Sequence, residues 1–161
     1  MNDVRLLETK YQKQIGKCLS EALPGFHQKF AVLKPSTDYE DSNYSFDLVY
    51  SMNLLISVKI RKYKYLQFND MTIRYRSNKG GITEFDKIKQ GYGKIYFYAY
   101  ESEDRNTFVK VRIVDVDAIR YLITNKQYKV YKNNDGTELA AFSFKDIARC
   151  NGAIYKYDKP S

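Results

Sequence analysis

Asp47, Ser57 and Lys59 are the residues whose types and spacing could do chemistry. They lie in "FDLVYSMNLLISVKIRK", residues 46–62, where apolar and polar side chains alternate on both sides of a short break. A carboxylate beside an ammonium group can hold a divalent cation and position a water for attack on a phosphodiester. Register decides whether the polar residues meet. A three-residue loop, Ser51-Met52-Asn53, pairs Leu48 with Ile56 and Phe46 with Val58; Asn53 suits the left-handed position of such a loop. Asp47 then stands opposite Ser57, with Lys59 two residues on along the same face. A two-residue loop would set Asp47 across from Val58 and mix buried with polar faces. The pattern therefore predicts an Asp47–Ser57–Lys59 cluster, with Leu48, Ile56 and Val58 turned to the core.

The charge around this stretch is segregated. The chain carries a net charge of +8 over 161 residues. Residues 35–54 hold four acids and no base, whereas Leu55 to Lys94 holds ten Lys/Arg against three acids, a local net of +7. Carboxylates next to basic flanks are what a metal-dependent enzyme acting on nucleic acid requires, one set for Mg²⁺ or Mn²⁺ and the other for phosphates. The four acids are Asp38, Glu40, Asp41 and Asp47. Arg61, Lys62, Lys64, Arg74 and Arg76 are the candidate phosphate contacts. A plainer account of the same residues is a hairpin-end aspartate bonded to its own turn and a solvated basic strand face.

Other chemistries are poorly supplied. His27 is the only histidine, so zinc sites and Ser-His-Asp catalysis lack their residues. Cys18 and Cys150 sit in no metal-ligand spacing, and Cys18 falls on the apolar face of the first helix, as a buried free thiol would. Gly91-Tyr92-Gly93 reads as a helix stop rather than a phosphate loop, because the glycine-lysine run of a Walker motif is missing. The 16 tyrosines and 9 phenylalanines could stack bases in part, but most suit half-buried strands. No apolar run reaches the ~20 residues of a membrane span. The polar N-terminus lacks a signal peptide's core, so an intracellular, cytoplasmic chain is expected.

The elements that must position these residues form one α+β domain over residues 1–161. A helix is predicted from Asp3 to Ala22, with Val4, Leu7, Tyr11, Ile15, Cys18 and Ala22 as its apolar stripe and Pro24-Gly25 as its stop. A short strand near Gln28 to Leu33, the hairpin above, and a strand or extension at "MTIRYR" follow. Thr83 caps a helix from Glu84 to Gln90 closed by Gly91; Glu84 and Asp86 serve its dipole, and the helix faces the basic strand. "KIYFYAY" is a strand with Tyr96, Tyr98 and Tyr100 on one face. "TFVKVRIVDV" is another, with Asp117 capping a helix through Leu122. A hairpin turning at Asn133 to Gly136 and a last helix, Lys145 to Cys150, complete the chain.

Helix, strand, a hairpin carrying D-x9-S-x-K, helix, strand: this order resembles the restriction-endonuclease-like superfamily, whose motif is PD-(D/E)XK. The resemblance covers roughly residues 3–100, leaving strands and short helices over 101–158. It implies an N-terminal helix packed on a mixed or antiparallel central sheet. It also implies a metal-dependent phosphodiesterase in which Asp47 binds Mg²⁺ or Mn²⁺ and Lys59 positions or activates the attacking water. Ser57 stands where the family carries its second acid, so the resemblance implies a relocated second metal ligand, Glu40, or else Glu21, Asp38 or Asp41. The stretches "TDYEDSNYSFDL" and "TEFDKIKQGYGKIYFYAY" also resemble uncharacterised small proteins of phages and mobile elements. Three readings follow: a nuclease acting on nucleic acid, DNA favoured over RNA; an inactive nucleic-acid binder on the same scaffold; and a phage-type inhibitor that binds a protein of a host defence complex.

Overall fold

Apolar residues at helical spacing form the first helix, and the computed structural model runs it over Asp3–Ala22 (α1), the span the spacing predicts. The structure describes residues 3–23, 34–35, 48–49 and 55–159, with side chains over 10–23 and 56–159. The expected strand at 28–33 and the helix stop at Pro24-Gly25 lie outside the described residues. So do His27, the loop residues 51–53, and all four acids of the 35–54 stretch, among them Asp47 and Glu40.

After α1 come β1 (Lys34–Pro35), β2 (Leu48–Val49) and β3 (Leu55–Arg61), then a 3-10 helix (Tyr63–Phe68) and β4 (Asp70–Arg76). The second half holds α2 (Glu84–Lys89), β5 (Ile95–Glu101), β6 (Phe108–Asp115), α3 (Val116–Thr124), β7 (Lys129–Lys132), β8 (Glu138–Ser143), α4 (Phe144–Arg149) and β9 (Ala153–Asp158). Six strands form one mixed sheet in the order β1-β2-β3-β5-β6-β9, and three form a second sheet in the order β4-β8-β7. In the larger sheet only β3 and β5 run parallel, with the chain from β4 to α2 making the crossover between them. Leu48 pairs with Ile56, as the hairpin register requires.

The larger sheet is buried on both faces, which explains the unbroken apolar and aromatic run of β5. On one face Tyr11, Ile15 and Leu19 of α1 pack with Ile56, Val58, Phe97, Ala99, Val111 and Ile113. On the other, Tyr96, Tyr98 and Tyr100 enter a second core shared with Met71, Ile73 and Phe142 of the smaller sheet and with the short helices. Cys18 is half-buried beside the first core and, like Cys150, is a free thiol.

Of the two readings of "MTIRYR", a further strand or an extension of the hairpin, the first holds: it starts the second sheet, pairing with β8. Asp115, not Asp117, caps α3, its side chain accepting from the Asp117 backbone N–H at 2.8 Å. "AIYKYD" forms β9 on the edge of the larger sheet, a strand too polar to show as one. No helix among the described residues is long and apolar enough to cross a membrane.

Candidate functional site

Strand pleating sorts β3 into two sets. Ile56 and Val58 face α1, while Ser57, Lys59 and Arg61 share the opposite face with the tyrosines of β5, in the pairs Ser57–Tyr96, Lys59–Tyr98 and Arg61–Tyr100. Glu21, one of the acids considered as a metal ligand, is thereby removed from Lys59. It belongs to α1, against the other face of the sheet, where it accepts from the Tyr155 hydroxyl at 2.6 Å.

Strand β4 pairs with β8 along one edge only. Its other edge meets the polar row of the larger sheet side-on, so side chains satisfy its backbone groups. Tyr100 donates its hydroxyl to the Asp70 carbonyl at 2.6 Å. The Thr72 N–H donates to the Tyr98 hydroxyl at 3.3 Å, and Lys59 Nζ donates to the Thr72 carbonyl at 2.9 Å. The Arg74 N–H donates to Glu84 Oε2 at 3.0 Å. Four consecutive edge groups are thus capped by side chains from 10 to 30 positions away in sequence.

Glu84 reaches this edge because of how α2 begins. Thr83 and Asp86 form a reciprocal capping box: the Thr83 hydroxyl accepts from the Asp86 N–H, and the Asp86 carboxylate accepts from the Thr83 N–H at 2.9 Å. The box fixes the first turn, and Glu84 projects from it toward β3 and β4. Its Oε2 lies 3.5 Å from Lys59 Nζ, and its Oε1 accepts from the Tyr96 hydroxyl. Both partners of the ion pair are mostly shielded, with 26% and 20% of their side chains exposed. Tyr96 is the register partner of Ser57, so the carboxylate lies on the face where Ser57 brings none. Asp86 stays with the cap and the helix dipole.

Arg61 donates to the Thr72 hydroxyl at 2.9 Å, its guanidinium lies 4.3 Å over the Tyr65 ring, and its Nε is buried without a hydrogen-bond partner. Burial raises the neighbouring Asp70 carboxyl above the usual range, with Arg61 pulling it back. Burial also raises the Tyr100 hydroxyl, helped by Tyr98 and Asp70, which keeps it protonated as a donor. Lys62, Lys64, Arg74 and Arg76 are exposed, Arg76 lying 3.6 Å from Glu138.

The structure therefore brings Lys59, Arg61 and Glu84 together around Thr72. Asp47 and Glu40, the remaining expected ligands, lie outside the described residues. Among the described residues no group of three or more His, Cys, Asp or Glu could hold a metal ion. Glu84 alone, its oxygens already engaged by Tyr96, Arg74 and Lys59, falls short of a Mg²⁺ or Mn²⁺ site. The sequence assigns Glu84 a role at the helix dipole on a helix facing the basic strand, but does not pair it with Lys59. The signal that could have found it was the T-E-F-D start, which puts a second carboxylate on a helix facing the basic strand. No family model matches the chain, and no curated protein matches it either.

Proposed function

We propose that the chain acts on nucleic acid through a restriction-endonuclease-like core in which Glu84 supplies the acid that Ser57 does not. The carrying observation is the Lys59–Glu84 pair, 3.5 Å apart on the polar face of β3. Once the 3-10 helix and β4 are set aside as an insertion, the succession of α1, the antiparallel β1, β2 and β3, then α2 and a β5 parallel to β3 also agrees with the order on which the resemblance rests. Lys59 can meet a phosphate oxygen once its bond to Thr72 lengthens, and the exposed Lys62, Lys64, Arg74 and Arg76 would take neighbouring phosphates. A divalent cation would need Asp47 as a second ligand beside Glu84; bound, it would polarise the phosphoryl oxygen and activate water.

A specific observation favours a second reading, binding without cutting. Lys59 is held between the Thr72 carbonyl and Glu84, which makes the pair a tie between the two sheets. Incubating the chain with duplex DNA, single-stranded DNA and RNA in millimolar Mn²⁺ separates the two. Cleavage by the parent that disappears in both Glu84→Gln and Lys59→Met supports the nuclease. Salt-dependent binding without cleavage supports the binder. Neither activity moves the reading to a protein-binding inhibitor.

A further inference from the structure

An open groove of about 800 Å³ lies between the end of the 3-10 helix with the start of β4, the strands β7 and β8, and the ends of α3 and α4. Three of its lining rings stand in solvent: Phe68 is 58% exposed, Tyr121 56% and Tyr131 49%. Rings kept for packing are buried, as Tyr96, Tyr98 and Tyr100 are. Lys126, Lys129 and Arg149 line the same groove, Lys129 sharing a strand face with Tyr131. Asp146 also lines it but pairs with Arg149 at 3.2 Å, and Asp70 lies near Arg61. Among the described residues Lys126 and Lys129 have no acidic partner, so the groove keeps uncompensated positive charge beside exposed rings.

We infer that this groove binds an unpaired nucleic-acid strand, its bases stacked on Phe68, Tyr121 and Tyr131 and its phosphates on Lys126 and Lys129. Rings interleaved with cations fit that ligand, because every base offers a face to stack and every nucleotide a phosphate. A duplex keeps its base faces inside the helix and could use only the lysines. An acidic peptide would use the same lysines but would gain less from three separate flat rings. The inference rests on the proposed nucleic-acid reading and adds a second contact surface, with unpaired strands as the preferred form.

The test uses the full chain, which has 16 tyrosines and no tryptophan, so tyrosine emission, corrected for absorption by the bases, reports stacking. Binding of a short oligodeoxythymidine, a duplex of equal length and polyglutamate is measured for the parent and for three double variants. These are Tyr121→Ala/Tyr131→Ala, Lys126→Ala/Lys129→Ala and Lys62→Ala/Lys64→Ala. The expected result is tighter binding of the oligothymidine than of the duplex, with quenched tyrosine emission. The tyrosine variant should lose roughly tenfold or more in that binding, as removal of stacked rings does. The Lys126/Lys129 variant should flatten the salt slope by about 0.7 per lost phosphate contact. Oligothymidine binding that falls only in the Lys62/Lys64 variant overturns the groove and leaves the nucleic-acid reading standing. Polyglutamate bound as tightly as oligothymidine also overturns the groove proposal. Binding of no nucleic acid in any form overturns both.

Discussion

Lys59 reaches from β3 to the backbone of Thr72, its Nζ donating to the carbonyl oxygen at 2.9 Å. The contact joins the larger sheet to the edge of the smaller one, with Glu84 neutralising the ammonium. Lys59→Met keeps the aliphatic stem but removes the donor and the charge. It leaves a shielded carbonyl and a half-buried carboxylate without that partner, which costs about 1–3 kcal/mol. Urea unfolding measures this. A neutral Lys59→Met would show that the tie is weak and that the lysine is free for chemistry.

The hairpin register was legible because a slip by one residue would have put Lys59 in the α1 core; only one pairing of Leu48 and Ile56 keeps the faces separate. The α2 start was legible because Thr83 and Asp86 make a local motif. The second sheet was not. Nothing local distinguishes a β4 that continues a hairpin from one that leaves to pair with β8, more than sixty residues on. The position of Glu84 depends on that departure, so the sequence showed its carboxylate only as one on a helix facing the basic strand, not as the partner of Lys59. Alternation alone predicts a solvated face for Lys59, Arg61 and Lys62; Lys62 is exposed, but Lys59 and Arg61 are half-buried because β4 meets that face.

Asp70 carries a pH dependence. Burial raises its carboxyl, Arg61 only partly offsetting this, so the native state holds the proton to higher pH than the unfolded chain does. The associated stability is present below the ordinary carboxylate value of about 3.9 and is lost as pH rises through the raised native value. Asp70→Asn should therefore be more stable than the parent at pH 7, with the gain vanishing in acid. Melts across that range check it. Removing this acid from the groove should also tighten oligothymidine binding. An equal gain at acid and neutral pH would mean that the charge is not its cause.

Gly152 lies between Ala118 of α3 and Ile147 of α4. Its N–H donates to the Ile147 carbonyl at 3.0 Å, and its own carbonyl accepts from the Asp115 N–H at 2.9 Å. A methyl group there would overlap the Ala118 Cβ and lie 3.1 Å from the Ile147 carbonyl oxygen. Gly152→Ala should cost about 1–3 kcal/mol or more, since the contact is with backbone and a helix Cβ rather than a flexible side-chain end. Unchanged unfolding would show that the helices can separate freely, and the caps at Asp115 and Ser143 would then carry less of the packing.

Ser57 is buried, and its register partner Tyr96 donates to Glu84. Ser57→Glu would therefore place a second carboxylate on the face that already carries Glu84, with Lys59 beside both. Two acids so close repel, and one of them should bind a proton more tightly than usual. A raised carboxyl lowers stability as pH rises above the ordinary carboxylate range. The variant should thus melt below its parent at neutral pH in chelator. A divalent cation between the two acids would reverse this, because binding to the native state alone adds RT ln(1 + [L]/Kd), about 2.7 kcal/mol at a hundredfold excess over Kd. Ser57→Gln controls for size and should show no such recovery. Melts of parent, Ser57→Glu and Ser57→Gln, with and without millimolar Mn²⁺, read the difference directly. Recovery confined to Ser57→Glu supports a nuclease scaffold short of one ligand, and recovery in the parent supports Glu84 and Asp47 as a working pair. The absence of a metal response in all three would leave Lys59 and Glu84 as a tie between two sheets and the binding surfaces as the source of function.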